Sequence, residues 1–174
     1  SYYNVWRYSQ LNTVNLNTNF LELFNSVWQQ LIENHTWIVG GYGSLNTAQL
    51  VFQNEINNPN SEVGSTEYTA KIGLMYVSDY GFAASPDYWT TNIGSYNNTV
   101  ILNTNWMYLG LREWTITRRA SSTYSSYTVY YSGYAIGNFV ERIESAIRPC
   151  FYLSSDVQYA SGSGTQSDPI RLVV

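Results

Sequence analysis

The sequence predicts a loop-rich α+β domain in which amino-terminal helices pack on an antiparallel sheet. Helical spacing of apolar residues is concentrated in the first third of the chain, and most strand-like runs come after residue 70. No linker rich in Pro or Gly divides the 174 residues, a length typical of one domain. We therefore expect a single domain over residues 1–174.

The first helix is predicted over about residues 19–34. Asn19 followed by Glu22 is typical of a capping box, and the helix should end near His35. The apolar residues spaced along one helical face are Phe20, Phe24, Val27, Trp28 and Leu31.

Two shorter helices are predicted further along. The segment 47–56 has Asn46 before it as a cap and Pro59 after it as a stop. The segment 139–147 is a weaker prediction that depends on one apolar face formed by Phe139, Ile143 and Ile147.

The other predicted elements are strands. The run 72–78 is almost continuously apolar, as in a central strand, and 113–117 alternates as a strand does. The stretch 81–105 is predicted to be mainly loop, and 161–164 a turn. The remaining predicted strands are 36–39, 127–131, 149–153 and 170–174.

The composition excludes several classes of protein. Lys and Arg number 8 against 12 Asp and Glu, with Lys71 the only lysine, so the chain cannot neutralise many nucleic-acid phosphates. No apolar run approaches the roughly 20 residues of a membrane-spanning helix, so we expect no membrane contact by this segment. Ser, Thr, Asn and Tyr supply about 40% of the residues, which is typical of a surface that binds through hydrogen bonds and aromatic contact.

The residues that usually carry catalysis are sparse. The single histidine, His35, is expected at the end of the first helix, and with the single cysteine, Cys150, it cannot complete a zinc site. No pair of carboxylates stands out. We therefore predict no enzymatic activity, no metal and no cofactor. Glu113 is expected to form a structural ion pair with Arg112, Arg118 or Arg148.

The segment 118–134 is the candidate binding surface because it combines many tyrosines and serines, the mixture that antibody paratopes use. The candidate ligand contacts are Tyr124, Ser126, Tyr127, Tyr130, Tyr131 and Tyr134, with Arg118 and Arg119 at the rim. Strand alternation would place Tyr127 and Tyr131 on one face and Tyr130 on the other. The alternative is a half-exposed strand pair whose tyrosines pack on their neighbours. The loop 85–105, with Tyr88, Trp89, Tyr96 and the following Trp106, is a candidate extension of the same face. Of these residues, Trp106 is expected in the core.

Several segments carry a resemblance to a known group of proteins. They are 71–86, Asn105-Trp106-Met107-Tyr108, Glu113-Trp114-Thr115-Ile116, 147–153 and 162–170. Together they resemble secreted or surface proteins of gut Firmicutes, which often carry a prepilin-like hydrophobic helix. The resemblance implies a bacterial surface or extracellular location, and we expect any anchor to lie outside these residues.

A shorter motif is similar to the end of the C-type-lectin-like fold. Glu113-Trp114-Thr115, a variable strand and then Ile147-Arg148-Pro149 resemble the branch with formylglycine-generating enzymes and the variable proteins of diversity-generating retroelements. The enzymes use a cysteine pair, which the single Cys150 cannot supply, and the calcium-binding motifs of the wider fold are missing from the sequence. In the retroelement proteins the varied segment corresponds to 121–138 here.

The predicted function is a non-enzymatic extracellular ligand-binding or adhesion module of a bacterial surface or pilus-like protein. A variable protein of a diversity-generating retroelement is one form that such a module would take. Its partner would be a protein or glycan on a cell or phage surface. The alternative is a structural pilin-like subunit with no external ligand, in which the tyrosines form packing or subunit contacts.

Overall fold

A computed structural model describes residues 3–57, 66–142 and 144–174. Residues 6–31 are mostly helical, but not as one continuous helix. The helical segments are a 3-10 turn at Trp6–Tyr8, a π-helix at Leu11–Phe20, a second 3-10 turn at Leu21–Leu23 and helix α1 at Ser26–Leu31.

The predicted helix over residues 19–34 is therefore wrong in its continuity. The backbone becomes extended at Phe24, with φ −83° and ψ 146°. The Asn25 side chain then accepts a hydrogen bond from the Trp28 backbone N–H at 3.1 Å, which caps a new helix. An Asn that caps its own backbone competes with continuous helix formation, so helical spacing of the apolar residues did not ensure an unbroken helix.

His35 does not end a helix, as predicted, but opens strand β1, His35–Ile38. Its ring stacks on Tyr152 at 4.0 Å between centroids and meets Trp37 edge-on at 4.9 Å. The histidine therefore belongs to an aromatic cluster beside β1.

Helix α2 covers Ala48–Asn57, close to the predicted 47–56. The Asn46 side chain accepts from the Thr47 N–H at 2.9 Å, and the Thr47 hydroxyl accepts from the Leu50 N–H at 3.4 Å. The predicted stop at Pro59 lies outside the described residues.

The strands form small antiparallel groups. Strand β1 pairs with β2, Glu67–Ala70, and β3, Ile72–Leu74, pairs with β7, Pro149–Phe151. A three-stranded meander contains β4, Glu113–Arg118, β5, Ser125–Val129, and β6, Ala135–Phe139. Strand β8, Gln158–Ser161, pairs with β9, Arg171–Val173. Helices and antiparallel strands together confirm the predicted α+β class.

Strand β4 is an outer strand of the meander, yet all six of its residues are buried. One edge pairs with β5. The other edge bonds to three separate segments: the Trp114 N–H donates to Ala146 O at 3.0 Å, the Ile116 N–H to Met75 O at 3.0 Å, and the Tyr42 N–H to Arg118 O at 3.2 Å. Distant parts of the chain thus complete the hydrogen bonding of one buried strand.

Three other predicted segments differ from the structure. The apolar run 72–78 is a strand only to Leu74, and helix α3, Val77–Phe82, follows. Its first turn is fixed because the Tyr76 N–H donates to the Asp79 carboxylate at 2.8 Å.

The segment 139–147 is not helical in its described residues, and Ile143 lies outside them. Phe139 ends β6. Ala146 O accepts from the Trp114 N–H of β4, and the Ala146 N–H donates to Arg112 O, immediately before β4. The predicted loop 81–105 also contains helix α4, Thr99–Thr104.

Two clusters of buried side chains fill the interior. One lies around α3 and β5 and includes Tyr42, Tyr80 and Tyr96, and the other includes Trp37 and Trp114. Cys150 packs against both clusters, and burial raises the pKa of its thiol to about 11. A thiol with this pKa is protonated near neutral pH and behaves as a packing residue.

Candidate ligand-binding surface

The turn between β5 and β6 is held in one conformation. The Tyr130 N–H donates to Tyr134 O, and the Gly133 N–H donates to Tyr130 O, both at 2.8 Å. Gly133 has φ +94°, and a Cβ there would overlap the Leu102 side chain. The buried Tyr80 hydroxyl donates to Gly133 O at 2.6 Å, so the turn is attached to the core beneath it.

Three predicted tyrosines meet at this turn. The Tyr130 ring lies 4.0 Å from the Tyr131 ring and 5.2 Å from the Tyr134 ring, measured between centroids. The Arg112 guanidinium carbon lies 4.6 Å from the Tyr130 centroid, a cation–π distance. The pKa of the Tyr130 hydroxyl is lowered, mainly by a hydrogen bond from Tyr131 and next by the neighbouring Arg112 guanidinium.

The segment from Trp106 to Arg112 lies beside the turn. The Tyr108 hydroxyl donates to Tyr131 O at 2.8 Å, so the two pieces of chain are joined at both Tyr108 and Arg112. This segment exposes 77% of Trp106 and 60% of Leu109. We call Trp106, Tyr108, Arg112, Tyr130, Tyr131 and Tyr134 the aromatic surface.

The prediction that Trp106 belongs to the core is wrong. Its neighbours Asn105 and Met107 take the buried positions. The Asn105 amide donates to Tyr80 O at 2.9 Å and accepts from the Met107 N–H at 3.0 Å. Because the side chains of Asn105 and Met107 point into the interior, the side chain of Trp106 between them faces solvent.

A buried ion pair supports this segment from below. Arg148 donates to both carboxylate oxygens of Glu113, from Nη2 at 2.6 Å and from Nε at 3.1 Å. The same Nη2 donates to Met107 O at 2.7 Å. The predicted structural ion pair of Glu113 is confirmed, with Arg148 as its partner, and it also fixes the backbone beside Trp106.

Two predicted contact residues are buried. Only 2% of Tyr127 is exposed; its ring stacks on Tyr42 at 5.2 Å, and its hydroxyl donates to Gly43 O at 3.1 Å. Arg118 is 4% exposed, so its predicted place at a rim is wrong. Strand β5 ends at Val129, so the expected alternation of Tyr127, Tyr130 and Tyr131 does not continue into the turn.

The other three predicted residues lie away from the turn. Tyr124 precedes β5 and stacks on Tyr3 at 5.5 Å between centroids. Ser126 is opposite Arg118 in the β4–β5 register. Arg119 is exposed, and its Nε donates to Ser121 Oγ at 3.2 Å.

The structure therefore brings together three of the eight predicted residues, Tyr130, Tyr131 and Tyr134. It adds Trp106, Tyr108 and Arg112, which sequence reasoning did not assign to the site. The signal available for Trp106 and Tyr108 was their place in a segment rich in loops, next to a strand. For Arg112 it was its position immediately before β4.

One buried carboxyl group titrates near neutral pH. Glu55 on α2 is 4% exposed, and the Thr117 hydroxyl donates to it at 2.6 Å. Burial raises its pKa to about 7, against hydrogen bonds from Ser78 and Thr117 that lower it. Since α2, α3 and β4 enclose this carboxyl group, its position suits a structural role.

Over the described residues, no group of three or more His, Cys, Asp or Glu is placed to hold a metal ion. No helix in the same part of the chain has the length and apolar character to cross a membrane. Comparison with protein-family models, with curated proteins and with solved structures finds no match to the chain. The resemblance to the C-type-lectin-like fold therefore depends on the sequence segments alone.

Proposed function

We propose that this chain is a non-enzymatic ligand-binding or adhesion module and that the aromatic surface is its contact site. One observation carries the proposal. Two segments that bear aromatic side chains, 106–112 and the turn 130–134, contact each other, and hydrogen bonds hold the backbone of both. Tyr108 bonds to the turn at Tyr131, Tyr80 bonds to it at Gly133, and Arg148 holds the neighbouring chain at Met107.

The chemistry of these side chains suits recognition. Tyr and Trp provide large contact areas with few rotatable bonds, and interface hot spots are enriched in Trp, Tyr and Arg. A turn already held in one conformation loses little entropy when a ligand binds, so more of the contact energy appears as affinity. The Tyr130 hydroxyl, with its lowered pKa, is a good donor to a ligand oxygen.

We further propose an extracellular or bacterial cell-surface location, a C-type-lectin-like core, and a protein or glycan ligand on a cell or phage surface. The low content of charged residues, 11%, supports the extracellular or cell-surface location. In support of the core, Glu113-Trp114-Thr115 lies on the buried strand β4, and Pro149 opens β7. The aromatic surface also falls partly within 121–138, the segment that retroelement variable proteins would diversify.

A second function is favoured by a separate observation. The β8–β9 hairpin exposes 64% of Tyr159, 37% of Leu172 and 49% of Val173. Apolar side chains on an exposed two-stranded hairpin suit contacts between copies, as in a structural pilin-like subunit.

The test is binding of the fluorescently labelled chain to a glycan microarray and to a microarray of cell-surface proteins. The double variant Trp106→Ala/Tyr131→Ala should lose at least tenfold in affinity for the ligands that the wild type retains. Tyr159→Ala is the matched control because it removes an exposed tyrosine from β8.

The outcomes separate the two functions. Equal binding by the wild type and the double variant would reject the aromatic surface as the contact site. If neither array retains the wild type, and sedimentation velocity shows self-association that Tyr159→Ala abolishes, then the subunit function replaces the binding function.

A further inference from the structure

A cavity of about 470 Å³ lies between the amino-terminal segment and strand β4. This volume falls within the range of pockets that hold small molecules. Its lining contains the amino-terminal residues 3–6, 9–11 and 15, together with Trp114, Thr115, Ile116 and Arg118 of β4. The aromatic surface does not share any of its six residues with this lining.

One part of the lining is apolar and well packed. Trp6 is 8% exposed and Trp114 is 9% exposed, and both line the cavity together with Val39, Leu74 and Ile116. These five residues belong to one buried cluster, so the wall is part of the core. Indole walls favour a flat ring through stacking and edge contacts as well as through apolar burial.

The other part of the lining is polar and carries positive charge. Its two charged side chains are Arg118 and Arg142, and the described lining contains no Asp or Glu. Arg118 is buried in the fold, whereas Arg142 is exposed. Neutral hydrogen-bonding groups accompany them, from Asn4, Ser9, Gln10, Asn15, Thr115, Ser126 and Ser145.

Some of the lining residues have buried polar atoms without a hydrogen-bond partner among the described residues. Trp6 Nε1 and Ser145 Oγ can donate, whereas Asn4 Oδ1 can only accept. Since buried polar groups are nearly always paired, an unpaired indole N–H and an unpaired hydroxyl beside a cavity call for an acceptor. A carboxylate supplies several acceptor sites and bonds strongly to guanidinium groups.

We propose that this cavity binds a small amphipathic anion, specifically an aromatic carboxylate. The ring lies against the wall of Trp6, Trp114 and Leu74. The carboxylate lies toward Arg118, with Arg142 drawing the anion to the site. This binding is independent of the aromatic surface.

The test uses the full chain and two probes of nearly equal shape, 2-naphthoate and neutral 2-naphthalenemethanol, in isothermal titration calorimetry at pH 7. The expected result is one site that binds the carboxylate at least tenfold more tightly than the alcohol. Arg118→Met should abolish this preference and Arg142→Gln should reduce it severalfold. Arg171→Gln is the matched control, since Arg171 is exposed and outside the lining.

A second readout does not depend on the folding of the Arg118 variant. In the wild type, 2-naphthoate should shift the indole N–H resonances of Trp6 and Trp114 in a ¹⁵N correlation spectrum and leave that of Trp106 unchanged. Equal affinity for the two probes, no saturable binding, or shifts at Trp106 instead of Trp6 and Trp114 would each overturn the proposal.

Discussion

Arg148 and Glu113 form a two-pronged ion pair, with Nη2 at 2.6 Å and Nε at 3.1 Å from the two carboxylate oxygens. The Glu113 side chain is 3% exposed and the Arg148 side chain 24% exposed. The pair joins β4 to the start of β7, and its bond to Met107 O extends the support to the aromatic surface.

Arg148→Met should lower the free energy of unfolding by about 3 kcal/mol, because it leaves the Glu113 carboxylate buried without its charge partner. Urea denaturation measures this change. Arg171→Gln removes an exposed ion pair to Asp168 and should change stability by less than about 1 kcal/mol. Similar losses in the two variants would contradict a structural role for the buried pair.

Glu55 should make the protein less stable as the pH rises toward neutrality. Its pKa is raised from 4.5 to about 7 by burial, so the folded state holds this proton more tightly than the unfolded state. Its stabilising contribution is complete below pH 4.5 and is lost as the pH rises to about 7. The total change is about 3 kcal/mol, at roughly 1.4 kcal/mol for each unit of pKa.

Glu55→Gln should remove this dependence and be more stable than the wild type at pH 8. Denaturation midpoints between pH 4 and 8 give the measurement, with the exposed Glu22→Gln as the control. If the denaturation midpoints of the wild type and Glu55→Gln change in parallel between pH 4 and 8, the raised pKa of Glu55 is contradicted.

Gly133 and Gly110 provide a matched pair of substitutions. Both have positive φ, +94° and +68°, but a Cβ at Gly133 would overlap Leu102, whereas at Gly110 its nearest neighbour is Tyr108 Oη at 3.8 Å. Gly110→Ala should cost about 1 kcal/mol for the backbone alone. Gly133→Ala adds overpacking and should cost about 3 kcal/mol in total. Thermal unfolding of both variants measures the difference, and equal costs would show that the turn relaxes freely.

Truncation of Trp106 should hardly change the free energy of unfolding, whereas truncation of Trp37 should lower it strongly. Trp106 is 77% exposed and Trp37 is 2% exposed. Trp106→Ala should change stability by less than about 0.5 kcal/mol. Trp37→Ala should cost about 3 to 5 kcal/mol through lost burial and a cavity. Guanidinium denaturation tests both, and a large loss in Trp106→Ala would place that side chain in the core.

Local patterns in the sequence predicted the elements that depend on nearby residues. Helix α2 follows from its apolar spacing and the Asn46–Thr47 cap, and β4 from its alternation. The pairing of Glu113 with an arginine was predictable because a buried carboxylate needs a charge partner. Its partner among the three candidate arginines depended on tertiary structure. The partner is Arg148, which immediately precedes β7, and β7 is placed by its pairing with β3.

Other predictions failed where a competing contact changed a local preference. The first helix breaks because Asn25 caps Trp28. The described residues of 139–147 are not helical: Phe139 ends a strand, and Ala146 O accepts a hydrogen bond at the edge of β4. Helical spacing alone does not include the hydrogen bonds that a distant strand edge offers.

By itself the sequence determined the α+β class, the low charge, and the abundance of tyrosine near 124–134. Only the tertiary structure decided which tyrosines are available to a ligand. Tyr127 packs on Tyr42, whereas Tyr130, Tyr131 and Tyr134 meet at a turn that Tyr108 and Arg112 contact. The reason is physical: a tyrosine satisfies a core and a surface equally well, so its exposure is set by the contacts that reach it from elsewhere in the chain.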